Sequence, residues 1–184
     1  MRILVACEFS GKVRDAFLAK GHDAISCDIQ DSWSPGPHIK DDVLHHLNDG
    51  WDMMVAFPPC THLARSGSRF WWNTPEMEDA LEFVDSLMQA HIPRIAIENP
   101  VGAISTYIRK PTQIIQPWEY GHGECKSTCL WLKQLPKLKP TNIVEGRSKR
   151  SQHNSPDRWY RSLLRSITYD GIALAMADQW GGQM

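Results

Sequence analysis

The sequence predicts a doubly wound α/β domain built on a mostly parallel sheet. Three observations carry that reading. Residues 3–7 form an unbroken apolar run, as a strand covered on both faces requires. Strand-length apolar runs then alternate with stretches of helical periodicity. Each strand-length run in the first half of the chain also ends in a polar or reactive group, at the edge where open α/β sheets bind their ligands.

The elements follow in order. Ser10-Gly11 breaks the first run, and Val13, Ala16, Phe17 and Ala19 recur at helical spacing until Gly21. Residues 23–28 read as a second strand, completing a βαβ unit. Residues 29–40, with Pro35-Gly36-Pro37, read as a loop. Residues 51–57 form a third strand, stopped by Pro58-Pro59. Thr74 is placed to cap a helix with Pro75 at its first position and Glu76, Glu78 and Asp79 near its positive end. Met77, Leu81, Val84, Leu87 and Met88 form its apolar face. Residues 94–97 read as a fourth strand, 113–116 and 128–132 as later strands, and 170–180 as a closing helix with Ile172, Ala173, Met176 and Ala177 inward.

Composition bounds the rest. The 184 residues suit one domain, taken as 1–184. The chain is 42% hydrophobic and 22% charged, which excludes a disordered composition. Five cysteines, at 7, 27, 60, 125 and 129, are odd in number and widely spaced, and the apolar start is too short for a signal peptide or membrane span. A reduced cytoplasmic compartment is expected. The net charge of −1 hides segregation. Residues 1–125 carry 10 basic and 17 acidic side chains, whereas residues 126–165 carry 10 basic and 2 acidic ones.

Candidate chemistry lies after the strands. Ser10-Gly11 allows close backbone approach of a ligand, and Asp28 can hold ribose hydroxyls. The alternative is a plain tight turn with a surface aspartate. Cys60, in Pro58-Pro59-Cys60, sits on a rigid loop, and a following helix N-terminus would lower its pKa. A buried, inert cysteine is the competing reading. Glu98 ends the fourth strand, where a partly desolvated carboxyl can keep a proton or anchor a hydrogen bond. His122, Cys125 and Cys129 supply only three metal-type ligands, so no metal is expected.

In this order the motifs resemble the cytosine-C5 DNA methyltransferases, and over the whole length the chain is similar to short phage- and prophage-type members lacking a target-recognition domain. The matching stretches are Val5-Ala6-Cys7-Glu8-Phe9-Ser10-Gly11, Asp28, Phe57-Pro58-Pro59-Cys60 and Glu98-Asn99-Pro100, with Ser66-Gly67 and Trp180-Gly181 in the longer match. The resemblance implies a Rossmann-like fold binding S-adenosyl-L-methionine (AdoMet) through Glu8, Phe9, Ser10, Gly11, Asp28, Ile29, Asp42 and Pro58. It implies Cys60 as nucleophile and Glu98 as its catalytic partner. Pro59, Thr61, Arg65, Asn99, Arg147 and Arg150 would contact the substrate.

Several positions depart from the family pattern. Cys7-Glu8-Phe9 replaces an Asp-Leu-Phe-like opening, Thr61 follows the nucleophile in place of Gln, and Pro100 follows Glu-Asn in place of Val. No Gln-x-Arg-x-Arg element is present; Arg147-Ser148-Lys149-Arg150 differs in order and spacing. Target recognition would then come from something small or from a protein partner. The basic band 126–165, including Arg158, Arg161 and Arg165 with Trp159 and Tyr160, is the candidate DNA contact. Arg65, Arg69, Phe70, Trp71 and Trp72 are a second candidate, with packing under the loop as the alternative for the two tryptophans. Two other readings stand beside DNA methylation: a pyrimidine nucleotide C5-modifying enzyme, and a catalytically degenerate fold that binds DNA or a protein partner.

Overall fold

The computed structural model describes residues 1–145 and 163–182. Seven strands form one sheet: β1 (Arg2–Ala6), β2 (Asp23–Asp28), β3 (His38–Lys40), β4 (Met53–Ala56), β5 (Arg94–Pro100), β6 (Gln113–Ile115) and β7 (Thr128–Lys133). Their spatial order is β3-β2-β1-β4-β5-β7-β6. The first five strands run parallel, and β7 is antiparallel to both β5 and β6. The predicted doubly wound, mostly parallel sheet is therefore present.

The two faces are apolar for the reason the strand pattern implies: alternate side chains point to opposite sides. Leu4, Ala6, Met54, Ala56, Ile95 and Ile97 pack on one face with Met77, Val84 and Leu87 of helix α3 (Pro75–Gln89). Ile3, Val5, Met53, Val55 and Ala96 pack on the other with Val13 and Phe17 of α1 (Lys12–Ala19) and with Ile172, Met176 and Trp180 of α5 (Asp170–Gly181). Two further helices are short, α2 (Ser68–Trp71) and α4 (Ile104–Tyr107).

Four local expectations are corrected. His38–Lys40, read as loop, pairs with Ser26–Asp28 as edge strand β3; three residues behind Pro-Gly-Pro carry too little pattern to reveal a strand. Residues 51–57 shorten to Met53–Ala56, with Trp51 buried and its indole donating to the His46 carbonyl. β5 runs on to Pro100 because antiparallel β7 continues its ladder, pairing Glu98 with Leu130 and Asn99 with Cys129. Thr74 does precede α3, but its hydroxyl donates to the Trp71 carbonyl at 3.0 Å instead of capping the helix.

The loop after β2 is ordered by a residue the sequence did not flag. Arg14 is fully buried on α1. Its guanidinium donates to the carbonyls of Ser34 and Pro35, to the hydroxyls of Ser26 and Ser32, and to the Asp15 carboxylate. Gly11 and Gly36 lie at positive φ, and a Cβ on either would collide with this guanidinium. Leaving buried acceptors without their donor costs about 1–3 kcal/mol for each that stays unsatisfied. Arg14→Ala is expected to lose at least that much stability in urea unfolding, with new proteolytic cleavage inside residues 29–37. Stability within about 0.5 kcal/mol of wild type, a surface-substitution effect, would contradict this role.

Candidate active site

Parallel pairing aligns the strand ends. Ala6 lies beside Cys27 and Ala56, and Ala56 beside Ile97. The residues that follow, Cys7-Glu8, Asp28, Phe57-Pro58 and Glu98, therefore share one rim.

At β1 the chain turns sharply, with Cys7 at φ 57° and Gly11 at φ 75°. A left-handed backbone suits glycine and is uncommon for a cysteine. Glu8 is buried and accepts from the backbone N–H groups of Val13 and Arg14 at 2.7 and 3.2 Å and from the Ser10 hydroxyl at 3.1 Å. It thus satisfies the start of α1, a task separate from the cofactor contact expected of it. Desolvation still raises its pKa against those bonds. Phe9 is buried edge-on against Trp33, with ring centroids 4.9 Å apart.

Asp28 accepts from the Gln30 N–H at 2.9 Å, and burial raises its carboxyl. Ile29 beside it is 75% exposed, unusual for a large apolar side chain. Asp42 caps a 3-10 turn by accepting from the Leu44 N–H at 3.0 Å. The Cys7 thiol is pushed far up, first by burial and then by the charges of Asp28, Cys27 and Asp42. The two aspartates therefore act on one neighbourhood.

Cys60 is exposed and its loop is tightly held. The Cys60 carbonyl accepts from the Leu63 and Ala64 N–H groups. The chain then docks on the segment after β5: Ala64 bridges Gly102, Arg65 N–H donates to the Val101 carbonyl, and Ala103 N–H to the Leu63 carbonyl. A Cβ at Gly102 would overlap the Leu63 carbonyl, so only glycine permits this approach. Asn99 is 1% exposed, and its amide donates to the Pro58 carbonyl at 2.8 Å, clamping the Pro-Pro-Cys turn from below. Pro58 is buried, whereas Pro59, Thr61 and Arg65 are exposed.

The electrostatics correct one expectation. The Cys60 thiol is raised, not lowered: desolvation from the crowded protein side of the residue dominates, followed by the Glu98 charge. Lys126 and Arg165 oppose this. Lys126 lines a 10 Å³ cleft together with Glu98, Thr128 and Tyr169. Its ammonium donates to the Arg165 carbonyl at 3.2 Å. Glu98 also raises Cys129 to about 11, after burial. Cys60 and Glu98 are thus brought within electrostatic reach. Ser166, Thr168 and Tyr169 at the rim were not anticipated, since no motif marks them.

A second cleft, about 30 Å³, lies between Cys7-Glu8-Phe9-Ser10 and Phe57, and Ser166 and Thr168 line both clefts. That volume has room for water-sized occupants. A nucleoside is larger than either cleft.

Arg147, Arg150, Arg158, Trp159, Tyr160 and Arg161 lie outside the described residues. Among those described, no three His, Cys, Asp or Glu side chains are grouped to hold a metal ion. His122 Nε2 accepts from the Gly171 N–H at 3.0 Å, and Cys129 lies inside β7. No helix among the described residues is long and apolar enough to cross a membrane.

Thiolate chemistry gives a direct test. Alkylation of Cys60 by iodoacetamide, followed by peptide mass spectrometry, is expected to rise with pH around a midpoint above that of an ordinary thiol. Glu98→Gln removes a repelling charge and should lower the midpoint; Lys126→Met should raise it. An unmoved midpoint in both variants would contradict the arrangement.

No protein-family model matches the chain, and no curated protein matches it. Solved structures do. The chain is similar to an E. coli prophage-encoded protein assigned as a DNA modification methyltransferase, at 13% identity and a TM-score of 0.50, over 78% of this chain and 52% of that one. It is also similar to the Entamoeba histolytica methyltransferase EhMeth, at 14% identity and a TM-score of 0.53, over 84% of this chain and 59% of that one. The chain thus aligns with little more than half of each. At these identities the likeness is one of fold: a Rossmann-like α/β methyltransferase fold.

Proposed function

We propose that the chain is an AdoMet-dependent methyltransferase acting on C5 of cytosine in DNA, with Cys60 as nucleophile. The observation that carries this reading is the docking of the Pro58-Pro59-Cys60 turn against β5, which brings the thiol under the charge of Glu98 at the carboxyl rim. The likeness to methyltransferase folds supports it.

The residues present fit the cofactor in part. Asp28 suits a ribose diol, and the exposed Ile29 suits an adenine face. Glu8 would act through the α1 turn that it holds. When bound, AdoMet supplies an electrophilic methyl group.

The chain's own residues do the rest. Cytosine C5 is a poor nucleophile until a thiolate adds at C6. Because Cys60 is raised in the free protein, deprotonation would accompany substrate binding, with Lys126 and Arg165 favouring the anion. Cys60 Sγ bonds to C6, and the electron pair of the C5–C6 double bond moves onto C5. Glu98, hydrogen-bonding N3 and the 4-amino group, stabilises the displaced charge. Once C5 has taken the methyl group that bound AdoMet would supply, its sulfonium sulfur leaving as a neutral thioether, loss of the C5 proton to solvent re-forms the C5–C6 double bond and expels Cys60 as the thiolate. In a duplex the base must first be flipped out.

Incubation with tritiated AdoMet and mixed-sequence DNA tests the reading. Wild type should label DNA, and Cys60→Ala should fall about a thousandfold or more. Asp28→Ala should weaken AdoMet binding roughly tenfold by calorimetry. Methyl transfer surviving Cys60→Ala would sink the nucleophile assignment. No transfer together with no AdoMet binding would favour a binding module.

A further inference from the structure

Beyond Cys60, the segment 61–74, which holds the expected substrate contacts Thr61 and Arg65, and its neighbour 101–112 form a surface that takes no part in the bond-making steps above. Phe70 is 73% exposed, Trp72 44% and Tyr107 47%. Rings this large are ordinarily covered. They are also held in place. Trp72 and Tyr107 pack with centroids 5.5 Å apart, and Trp72 lies 5.8 Å from the buried Trp71. The Tyr107 hydroxyl donates to Asn73 Oδ1 at 3.2 Å. The Arg69 guanidinium sits over the Phe70 ring at 4.5 Å.

The charge around these rings is one-sided. Segments 61–74 and 101–112 hold Arg65, Arg69, Arg109 and Lys110, all exposed, and no Asp or Glu. This stands inside a 125-residue stretch that is otherwise strongly acidic, and the next acidic residues in sequence, Glu76 and Glu78, lie in the first turn of α3. A protein partner's apolar face would need no such cationic rim. A nucleic-acid strand needs both features: cations for phosphates and aromatic faces for unstacked bases. Paired bases hide those faces, so exposed rings favour an unpaired strand.

We infer that Phe70, Trp72 and Tyr107, rimmed by Arg65, Arg69, Arg109 and Lys110, form a stacking platform for an unpaired DNA strand. The choice of DNA rests on the proposed function; the choice of an unpaired strand rests on the rings. The platform begins just past Cys60, and the Ala64–Gly102 bridge ties its two segments together beside the Cys60 loop. Nucleotides stacked there would hold the strand while a neighbouring base occupies the rim.

Fluorescence anisotropy of a labelled 20-nucleotide oligo-dT, titrated with the full chain without AdoMet, tests this. Wild type should bind oligo-dT more tightly than a blunt duplex of equal length. Phe70→Ala/Trp72→Ala/Tyr107→Ala should weaken oligo-dT binding tenfold or more, while Trp72→Phe, which keeps a ring, should stay within about threefold. Arg69→Ala should lower the salt slope by about 0.7. The rings are exposed, so circular dichroism of the triple variant should match wild type. An unchanged oligo-dT affinity in a folded triple variant, or tighter binding of duplex, overturns the platform. The readout is independent of methyl transfer: ring-dependent binding with no transfer keeps the platform and removes the methyltransferase reading, and transfer with ring-independent binding does the reverse.

Discussion

The parallel register of β1, β2, β4 and β5 is the constraint on which the rest of the molecule depends. It aligns Ala6, Cys27, Ala56 and Ile97, so four chain crossings reach the same edge. Everything reactive in the first hundred residues follows from that alignment. Antiparallel β7 adds a second consequence. By pairing with β5 as far as Pro100 it holds Glu98 and Asn99 inside a ladder, where their backbone cannot drift. It also starts next to Lys126, which brings a cation to the same edge.

Buried polar groups convert this edge into a shaped one. Glu8, Arg14 and Asn99 are each almost wholly enclosed, and each hydrogen-bonds backbone groups of a neighbouring turn or loop. Glu8 holds the α1 turn, Arg14 the loop after β2, and Asn99 the turn before Cys60. Such groups are costly unless satisfied, and they give loops a rigidity that apolar packing alone does not. The site is therefore firm where the chain itself is concerned, and Ser166 and Thr168 line both of its narrow clefts.

How far the sequence revealed this varies by element. Continuous apolar runs identified the central strands, since a strand buried on both faces cannot hide its composition. The period of Met77, Val84 and Leu87 did the same for α3. β3 escaped notice because an edge strand of three residues carries no pattern. Cys60, Asp28 and Glu98 were legible as residues after strands. Arg14 was not, because a buried arginine on an amphipathic helix looks like a solvated one. Gly102 was not, because its neighbour Leu63 is distant in sequence. Lys126 lay within the basic band, but its place beside Glu98 depends on the antiparallel insertion of β7, which the sequence pattern did not reveal. The sign of the Cys60 shift also eluded prediction: desolvation and the Glu98 charge outweigh the cations.

In the proposed reaction Cys60 attacks the pyrimidine ring while Glu98 faces the same site. DNA carrying 5-fluorocytosine tests it most directly, because the fluorine cannot leave as the C5 proton does, and the adduct persists. Incubation with AdoMet followed by digestion and mass spectrometry should find one nucleotide joined to the peptide holding Cys60, and far less of it in Glu98→Gln. An absence of adduct in wild type, or an adduct on Cys125 or Cys7 in its place, would contradict the account.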